Sequence, residues 1–355
     1  MKILDFIKKL LMQNKFDVII TTYNREESLK ILVENILEQT LLPENIIVVD
    51  SSSKENEEIQ KIQKILYIKS SHGNQPYQRY LGKKVSKNEI LIFMDDDMRI
   101  LENSAFEKII NKYEDKNIIG VQPNFTNANE FLQEKLPKSK TKLKNQKLDK
   151  LKRIFTGYYI PDDGELSYCG IRGNKPKDKG TVEYFNGGVF SVKRNAIFTN
   201  IFNPLLFSLF EKRIGMGEDT ILGFEASRFG NIIYLDNSMF LHDDQKDSTY
   251  SLDIYSYAKR TSYSRLFLSF EYVRLKDNSK LLAFLHFYWY MFWRVLNLFI
   301  NMIISKKRKS KWDMLKGFLW GWYKATEDVF ELANIDKSKY WKKEMKRDEK
   351  NYANK

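Results

Sequence analysis

The sequence predicts an α/β protein with a mostly parallel sheet that is flanked by helices on both faces. Three runs of β-branched and aliphatic residues, at 16–20, 46–49 and 89–94, each lead into polar or acidic residues. Between these runs, apolar residues recur at helical spacing, most clearly over 29–37. Strands that alternate with helices are typical of a parallel sheet, because each crossover helix packs on a face of that sheet.

The other elements of this fold follow in chain order. The first helix is predicted to end before Pro43, and a third strand is predicted at 65–68. A helix is expected from Pro76, because proline suits the first turn of a helix. Beyond the run at 89–94, we expect a helix around 106–113 and a strand at 118–121.

Three consecutive aspartates, Asp95, Asp96 and Asp97, directly follow the apolar run at 89–94. The carboxyl ends of parallel strands are where open α/β folds bind their ligands. Carboxylates this close repel each other unless a proton or a cation neutralises them. A divalent metal, held by one or two carboxylates and otherwise open to phosphate oxygens, would do so. An acidic triplet in a solvated loop is the alternative interpretation.

The sequence resembles family 2 glycosyltransferases of the GT-A fold, the Rossmann-like fold of nucleotide-diphospho-sugar transferases. The resemblance rests on five motifs in the order of the family, over about residues 16–245. They are the stretch at 17–25, the strand at 46–50, the aspartates with the strand before them, the segment Asn186-Gly187-Gly188 with the six residues after it, and Gly217-Glu218-Asp219-Thr220. His242 matches a late histidine of the family. The type that the sequence most resembles is the rhamnosyltransferase-like type of polysaccharide biosynthesis.

The resemblance implies an inverting enzyme that moves a hexosyl or deoxyhexosyl group from a nucleotide diphosphate to a hydroxyl group. Asp50 would accept hydrogen bonds from the base or ribose of the donor, and Thr21 and Tyr23 would line the base pocket. The full set of donor-binding residues would be Thr21, Tyr23, Asp50, Arg79, Asp95 and Asp96. Arg79 has a second interpretation, as a surface residue of an amphipathic helix.

The resemblance also implies a cofactor, either Mn²⁺ or Mg²⁺. Asp95, Asp97 and His242 would be its ligands, although His242 has a structural role as its alternative. A cation that bridges two phosphates neutralises the charge that develops on the leaving group.

Asp219 would be the general base of the transfer, and Glu218 would orient the acceptor. A sugar hydroxyl is a weak nucleophile at neutral pH, so a carboxylate must accept its proton as the new bond forms. The pair precedes an apolar helix, and the start of a helix favours ionised acids. An ordinary capped helix start is the alternative. Arg172, in a loop predicted at 170–180, is a further candidate contact to the diphosphate.

Composition limits the compartment and the partners. The single cysteine, Cys169, excludes an intrachain disulfide and favours the reducing cytoplasm. A net charge of +13 indicates an anionic partner. No zinc-finger, RNA-recognition or homeodomain signature accompanies this charge, so we expect a membrane surface, not nucleic acid.

Two segments are candidates for contact with the inner face of the cell membrane. Residues 1–15 read as an amphipathic helix, and 281–304 are apolar and rich in aromatic residues. Arg294 lies near the middle of the second segment, where a charge costs roughly 2.5–3.5 kcal/mol on insertion scales. We therefore expect a helix that lies in the membrane interface. A single span, a dimer interface and a buried core helix remain open.

These observations divide the chain into four parts. Residues 1–15 form the first helix, 16–125 the donor half, 126–245 the acceptor half and 246–355 a helical, membrane-associating region. The lysine-rich stretch at 135–152 is either a lipid-binding helix or a solvated segment. The acceptor is expected to be a glycan or lipid-linked glycan. A nucleotidyltransferase on the same sheet, or a non-catalytic scaffold that binds sugar nucleotide or lipid, are the rival functions.

Overall fold

The computed structural model describes residues 15–127, 161–176, 180–243, 253–304, 308–334 and 339–352. The predicted amino-terminal helix (apart from Lys15) and the lysine-rich stretch at 135–152 lie outside these ranges.

The first half of the sheet is parallel, as the sequence predicts. Its elements are β1 (Phe16–Thr22), α1 (Glu26–Leu37), β2 (Asn45–Asp50), α2 (Glu57–Gln60), β3 (Ile65–Lys69), α3 (Gln75–Val85) and β4 (Ile90–Asp95). β1 lies between β2 and β4, and β3 lies at the edge beyond β2. All of these pairs are parallel, so the carboxyl ends of β1, β2 and β4 meet at one edge.

The second half of the sheet is mixed. Its elements are β5 (Met98–Ile100), α4 (Ala105–Ile110), β6 (Ile118–Asn127), β7 (Thr181–Val182), β8 (Val189–Lys193), α5 (Leu205–Glu211), α6 (Glu218–Ala226) and β9 (Asn231–His242). In the described residues the sheet order is β3-β2-β1-β4-β8-β6-β9-β5, with β7 paired to β9. β8 runs antiparallel to both β4 and β6, which joins the two predicted halves into one sheet.

Both faces of the parallel strands are buried, which explains their continuous apolar runs. Ile19, Val49 and Phe93 contribute to the core cluster on one face. Their neighbours Val18, Val48 and Ile92 contribute to the cluster on the other face, together with α1. Alternate residues of each strand thus enter different cores, as the two-residue repeat of a strand requires.

The carboxyl-terminal region is helical. It consists of α7 (Ile254–Leu275), α8 (Lys280–Ile304), α9 (Arg308–Glu327), α10 (Val329–Leu332) and α11 (Lys339–Tyr352). By length and composition, α8 is the one helix of the described residues that could cross a membrane, and 22% of its most apolar window is buried. α8 packs on α7 and α9 through one face, with Ala283, Phe287 and Met291 fully buried. It is therefore not a buried core helix.

Candidate active site

Three predicted donor-binding residues, Thr21, Asp50 and Asp95, lie at the carboxyl edge of the sheet. Thr22 at the end of β1 pairs with Asp50 of β2, and Thr21 pairs with Asp95 of β4. Thr21 is 5% exposed, and its hydroxyl has no hydrogen-bond partner among the described residues. Tyr23 is 41% exposed, so its ring is accessible to a ligand.

Asp50 is held in one orientation by two neighbours. One carboxylate oxygen accepts hydrogen bonds from the backbone N–H of Ser52, at 2.7 Å, and from its hydroxyl. The other oxygen accepts a hydrogen bond from the hydroxyl of Tyr67. Each oxygen of a carboxylate can accept more than one hydrogen bond. A carboxylate fixed at the edge of the sheet is suited to accept a hydrogen bond from an N–H or O–H group of a base or ribose.

Each aspartate of the triplet has its own protein partners. Asp95 Oδ1 accepts hydrogen bonds from Gln75, at 2.9 Å, and from Arg79, at 2.8 Å. Asp96 accepts them from the hydroxyl of Thr22, at 2.7 Å, and from Arg25, at 2.8 Å. Arg25 Nη1 also lies 2.7 Å from Asp97 Oδ2. Arg25 therefore neutralises part of the negative charge of the three aspartates, a role that we had expected of a metal.

The environments of the three carboxyl groups shift their pKa values differently. Burial raises the pKa of Asp95, and it raises the pKa of Asp96 to about 6. Burial acts in the same direction on Asp97, but His242 and Arg25 together outweigh it and hold the pKa of Asp97 below its ordinary value. Asp97 is thus the member of the triplet most firmly ionised.

Two of the three predicted metal ligands lie together. His242 Nε2 is 3.3 Å from Asp97 Oδ1, and that buried oxygen accepts no hydrogen bond from the described residues. The carboxylate of Asp95 is instead engaged by Arg79 and Gln75. Among the residues that the structure describes, no group of three or more His, Cys, Asp or Glu side chains is arranged to hold a metal. Asp97 and His242 fit a cation that takes its remaining ligands from phosphate and water.

Arg79 connects the donor side of the site to the acceptor side. It is 1% exposed, so its interpretation as a surface residue is wrong. Its Nη2 lies 2.8 Å from Asp95 Oδ1, and its Nη1 lies 3.0 Å from Glu218 Oε1. The guanidinium is planar and forked, which suits it to bridge two carboxylates. Arg79 therefore links the aspartate cluster to the Glu218-Asp219 pair through two ion pairs.

The acid pair begins α6, as the sequence predicts. Gly217 precedes the helix with φ of 84°, a conformation that favours glycine. Asp219 Oδ1 accepts a hydrogen bond from the backbone N–H of Thr220 at 2.7 Å, and Oδ2 accepts one from the N–H of Gly187. A β-carbon at position 187 would lie 3.2 Å from Asp219 Oδ2, so the glycine permits this close approach of the backbone.

Arg172 contributes to the acceptor side in a way that the sequence did not reveal. Its Nη2 lies 2.6 Å from Asp219 Oδ2 and 2.7 Å from the hydroxyl of Thr220, and its Nη1 donates to Asn186. The guanidinium thus binds Asp219, Thr220 and Asn186 on the acceptor side. In the sequence, Arg172 was noticeable only as part of a basic loop, because no local pattern links this loop to Asp219.

The hairpin that carries Arg172 is fastened to the carboxyl-terminal helices. A β-bridge joins Leu166 to Arg172. The ring of Tyr168 stacks on His286 of α8, with a centroid distance of 4.3 Å. Arg265 of α7 donates hydrogen bonds to the carbonyl oxygens of Cys169 and Gly170, at 2.9 and 2.8 Å. The helical region therefore supports one wall of the acceptor side.

Two cavities open onto the predicted site residues. A cavity of about 450 Å³ is lined by Arg25, Ser52 and Asp97 among others. A second cavity of about 380 Å³ is lined by Arg172, Glu218, Asp219 and Arg265 among others. The first lies beside the aspartate cluster and the second beside the acid pair.

The mixed sheet, its flanking helices and the carboxyl-terminal helical region define a GT-A fold. Acidic residues lie at the carboxyl edge of its parallel strands, and a second acid pair lies at the start of α6.

Residues 17–164, less than half of the chain, match the model of glycosyl transferase family 2. Over 118 residues the chain is 30% identical to 4,4'-diaponeurosporenoate glycosyltransferase from Staphylococcus haemolyticus (strain JCSC1435). That match covers 30% of this chain and 31% of the relative. The family resemblance is therefore supported for residues 17–164.

Two solved structures are similar to this one at lower identity. Residues 1–349 of TarS from S. aureus in complex with UDP-GlcNAc match with a TM-score of 0.49 and 14% identity, over 95% of this chain and 89% of that one. The mannosyltransferase PcManGT from Pyrobaculum calidifontis, in complex with GDP-Man and Mn²⁺, matches with a TM-score of 0.49 and 12% identity, over 88% and 87%.

Proposed function

We propose that this protein is an inverting glycosyltransferase that moves a sugar from a nucleotide-diphosphate donor to a hydroxyl group of a glycan or lipid-linked glycan. The Arg79 bridge between Asp95 and Glu218 carries the proposal, because it links the two acidic clusters that the reaction would use. The match of residues 17–164 to glycosyl transferase family 2 supports a nucleotide-sugar donor. The rhamnosyltransferase-like type, and so a hexosyl or deoxyhexosyl group, is part of the same proposal.

On the donor side, side chains at the edge of the sheet would recognise the nucleotide. Asp50, fixed by Ser52 and Tyr67, presents a carboxylate to donor groups of the nucleotide. Tyr23 offers an accessible ring on which a base can stack. Arg25 keeps Asp96 and Asp97 close together before any ligand arrives. The cavity beside these residues has room for part of a nucleotide.

A divalent cation, Mn²⁺ or Mg²⁺, would be held by Asp97 and His242, with Asp95 beside them. When bound, it neutralises charge on the diphosphate leaving group. Asp97 suits this role because its Oδ1 lies 3.3 Å from His242 Nε2, so one cation could contact both side chains.

On the acceptor side, Asp219 accepts the proton of the attacking hydroxyl. Its lowered pKa keeps it ionised at neutral pH, and the N–H groups of Gly187 and Thr220 fix its orientation. Glu218, held by Arg79, orients the acceptor. Glu218 is also the second candidate for the base, because burial and the charge of Asp219 raise its pKa to about 7. A base with a pKa near the working pH transfers protons efficiently.

Asp219→Asn and Glu218→Gln test these roles. We expect Asp219→Asn to keep its affinity for the donor, measured by calorimetry on a panel of UDP-, GDP- and dTDP-sugars with and without Mn²⁺. Release of nucleoside diphosphate in the presence of a bacterial glycolipid extract should fall by at least about 100-fold, the usual contribution of a general base. Asp236→Asn, an exposed aspartate of β9, is the matched control.

The alternatives give different results. Unchanged turnover in Asp219→Asn with lost turnover in Glu218→Gln would make Glu218 the base. A nucleotidyltransferase would release no nucleoside diphosphate from these donors even as wild type. It would instead form pyrophosphate from a nucleoside triphosphate and a sugar 1-phosphate, and would keep that activity in Asp219→Asn, because a phosphate oxygen needs no base to deprotonate it. A non-catalytic scaffold would bind a sugar nucleotide without ever releasing nucleoside diphosphate from it.

A further inference from the structure

One face of α8 is apolar and exposed along its whole length. The exposed stripe consists of Leu281, Leu285, Trp289, Phe292, Phe299 and Ile303, which are 48–65% exposed. These positions are separated by three, four or seven residues, so they lie on one side of a helix. α9 also exposes large apolar residues, with Trp312 at 47% and Tyr323 at 70%. Patches of this kind mark protein or membrane interaction sites.

The opposite face of α8 is already occupied by the protein. Phe287 and Met291 are fully buried, and the ring of His286 stacks on Tyr168 of the hairpin. The guanidinium of Arg294 lies 5.3 Å from the ring of Phe318 on α9. In the sequence, the charge of Arg294 argued against a membrane span. In the structure, this side chain lies on the inner face of α8. The exposed stripe itself carries no charge.

We propose that this stripe is a membrane-docking surface, on which α8 lies parallel to the plane of an anionic lipid bilayer. Its aromatic and aliphatic side chains would enter the boundary between headgroups and acyl chains. The same two helices carry exposed lysines that would contact anionic headgroups, namely Lys280, Lys309 and Lys316. Lys280 also donates a hydrogen bond to the carbonyl oxygen of Ala333, and Lys316 pairs with Asp313. The net charge of the chain, +13, is also positive and would attract an anionic membrane surface.

Two other occupants of the stripe fit the structure less well. In a two-fold contact with a second copy, the same apolar patch would face itself, and each copy would carry a net charge of +13. Like charges that meet across an interface oppose binding. A membrane span would require α8 to leave its contacts with α7, α9 and Tyr168. A helix that lies on the surface keeps all of these contacts.

The double variant Trp289→Glu/Phe292→Glu tests the surface in the full chain. We expect the wild type to sediment with vesicles of phosphatidylcholine and phosphatidylglycerol at 3:1, and the variant to bind them at least about tenfold less strongly, because two charges replace inserted side chains. Phe229→Glu is the matched control, since Phe229 is also an aromatic residue with 48% exposure but lies after α6. Far-UV circular dichroism verifies that each variant is folded.

A fluorophore attached at Leu285→Cys, Phe292→Cys or Ile303→Cys, in separate variants, tests the orientation. Cys169 is 5% exposed, so the introduced thiol is the accessible one. A helix in the plane of the bilayer should give the same quenching depth with brominated lipids at all three positions.

Greatest depth at position 292 with shallow ends would mean a span and would overturn the proposal. The proposal would also be overturned if Trp289→Glu/Phe292→Glu bound vesicles as strongly as Phe229→Glu does. A wild type that forms a solution dimer but binds no lipid, with the dimer dissociated by the double variant, would overturn it as well. Donor binding is measured separately, so failure here leaves the proposed reaction standing.

Discussion

Glu218 and Asp219 are neighbours in the chain, yet the pKa values of their carboxyl groups shift in opposite directions. Burial, followed by the charge of Asp219, raises the pKa of Glu218 to about 7. Burial also acts to raise the pKa of Asp219, but the charge and hydrogen bond of Arg172 outweigh it and lower that pKa. Below neutral pH the pair therefore holds about one negative charge, and its titration belongs to the pair.

This arrangement predicts how stability depends on pH at residue 218. The folded chain binds the proton of Glu218 more tightly than the unfolded chain, whose pKa is near 4.5. Folding stability is therefore lost as pH rises from about 4.5 through 7, by about 3 kcal/mol in total. Glu218→Gln removes this loss. We expect its melting temperature to rise relative to wild type by a few degrees between pH 5 and pH 8.

Thermal unfolding followed by circular dichroism at a series of pH values measures the effect. Glu57→Gln, an exposed glutamate of α2, provides the comparison and should follow the wild type at every pH. If Glu218→Gln instead lost stability relative to wild type as pH rose, its carboxyl group would favour the ionised state in the fold, and the assignment of charge within the pair would be wrong.

At the scale of elements, α9 packs on α7 through two glycines. A β-carbon at position 317 would lie 2.4 Å from the carbonyl oxygen of Tyr255 and 2.7 Å from Cβ of Ala258. A β-carbon at 321 would lie 1.8 Å from the hydroxyl of Ser262 and 2.7 Å from the carbonyl oxygen of Lys259. The two helices are therefore in backbone contact, and this contact sets which face of α9 remains outside.

Gly317→Ala should destabilise the protein, although the same change in an isolated helix is favourable. Alanine in place of glycine stabilises a helix interior by about 1 kcal/mol. Here the new methyl group meets backbone and Cβ atoms that cannot move aside, and overpacking of this kind costs about 1–3 kcal/mol. We expect a net loss of up to about 2 kcal/mol, measured as the midpoint of urea unfolding.

Gly73→Ala is the control for this substitution. The nearest atom to a β-carbon there is the hydroxyl oxygen of Ser51 at 4.0 Å, an ordinary contact. Equal unfolding midpoints for the two variants would show that α7 and α9 separate easily, and that the exposed faces of the helical region are not set by this contact.

At the scale of the whole molecule, the helical region and the sheet share one core. Trp341 of α11 is 1% exposed, and its ring lies 4.9 Å from the ring of Tyr77 on α3 and 5.3 Å from that of Phe207 on α5. The core cluster that contains Trp341 also contains Ile19 of the central strand. The carboxyl-terminal helices therefore cannot be removed without exposing the core of the sheet.

Trp341→Ala should lower the stability of the entire chain by about 3–5 kcal/mol, the usual cost of such a cavity. We expect one cooperative transition, with the same midpoint by near-UV and far-UV circular dichroism. Trp312→Ala, at an exposed tryptophan of α9, should leave the transition close to that of wild type. Separate transitions for the sheet and the helices in the wild type would contradict a shared core.

Patterns that act over short distances along the chain could be recognised in the sequence. The strands predicted at 16–20, 46–49 and 89–94, the acids that follow them and the Glu218-Asp219 helix start all depend on local periodicity and local charge, and the structure confirms the elements. The same patterns placed Thr21, Asp50 and Asp95 at one edge, because parallel strands end together. The apolar character of α8 was also readable, since it depends on composition alone.

Which side chains meet was decided by the tertiary structure, because the partners lie far apart in sequence. Arg79 reaches Glu218 across 139 positions, and Arg172 reaches Asp219 across 47. The inward position of Arg294 likewise depends on α9, which packs beside it. By itself, the sequence determined an α/β sheet with acids at its carboxyl edge and an apolar helix near its end. Only the packing decided which guanidinium neutralises which carboxylate and which face of that helix stays in contact with solvent, because long-range contacts leave no periodic signal in the chain.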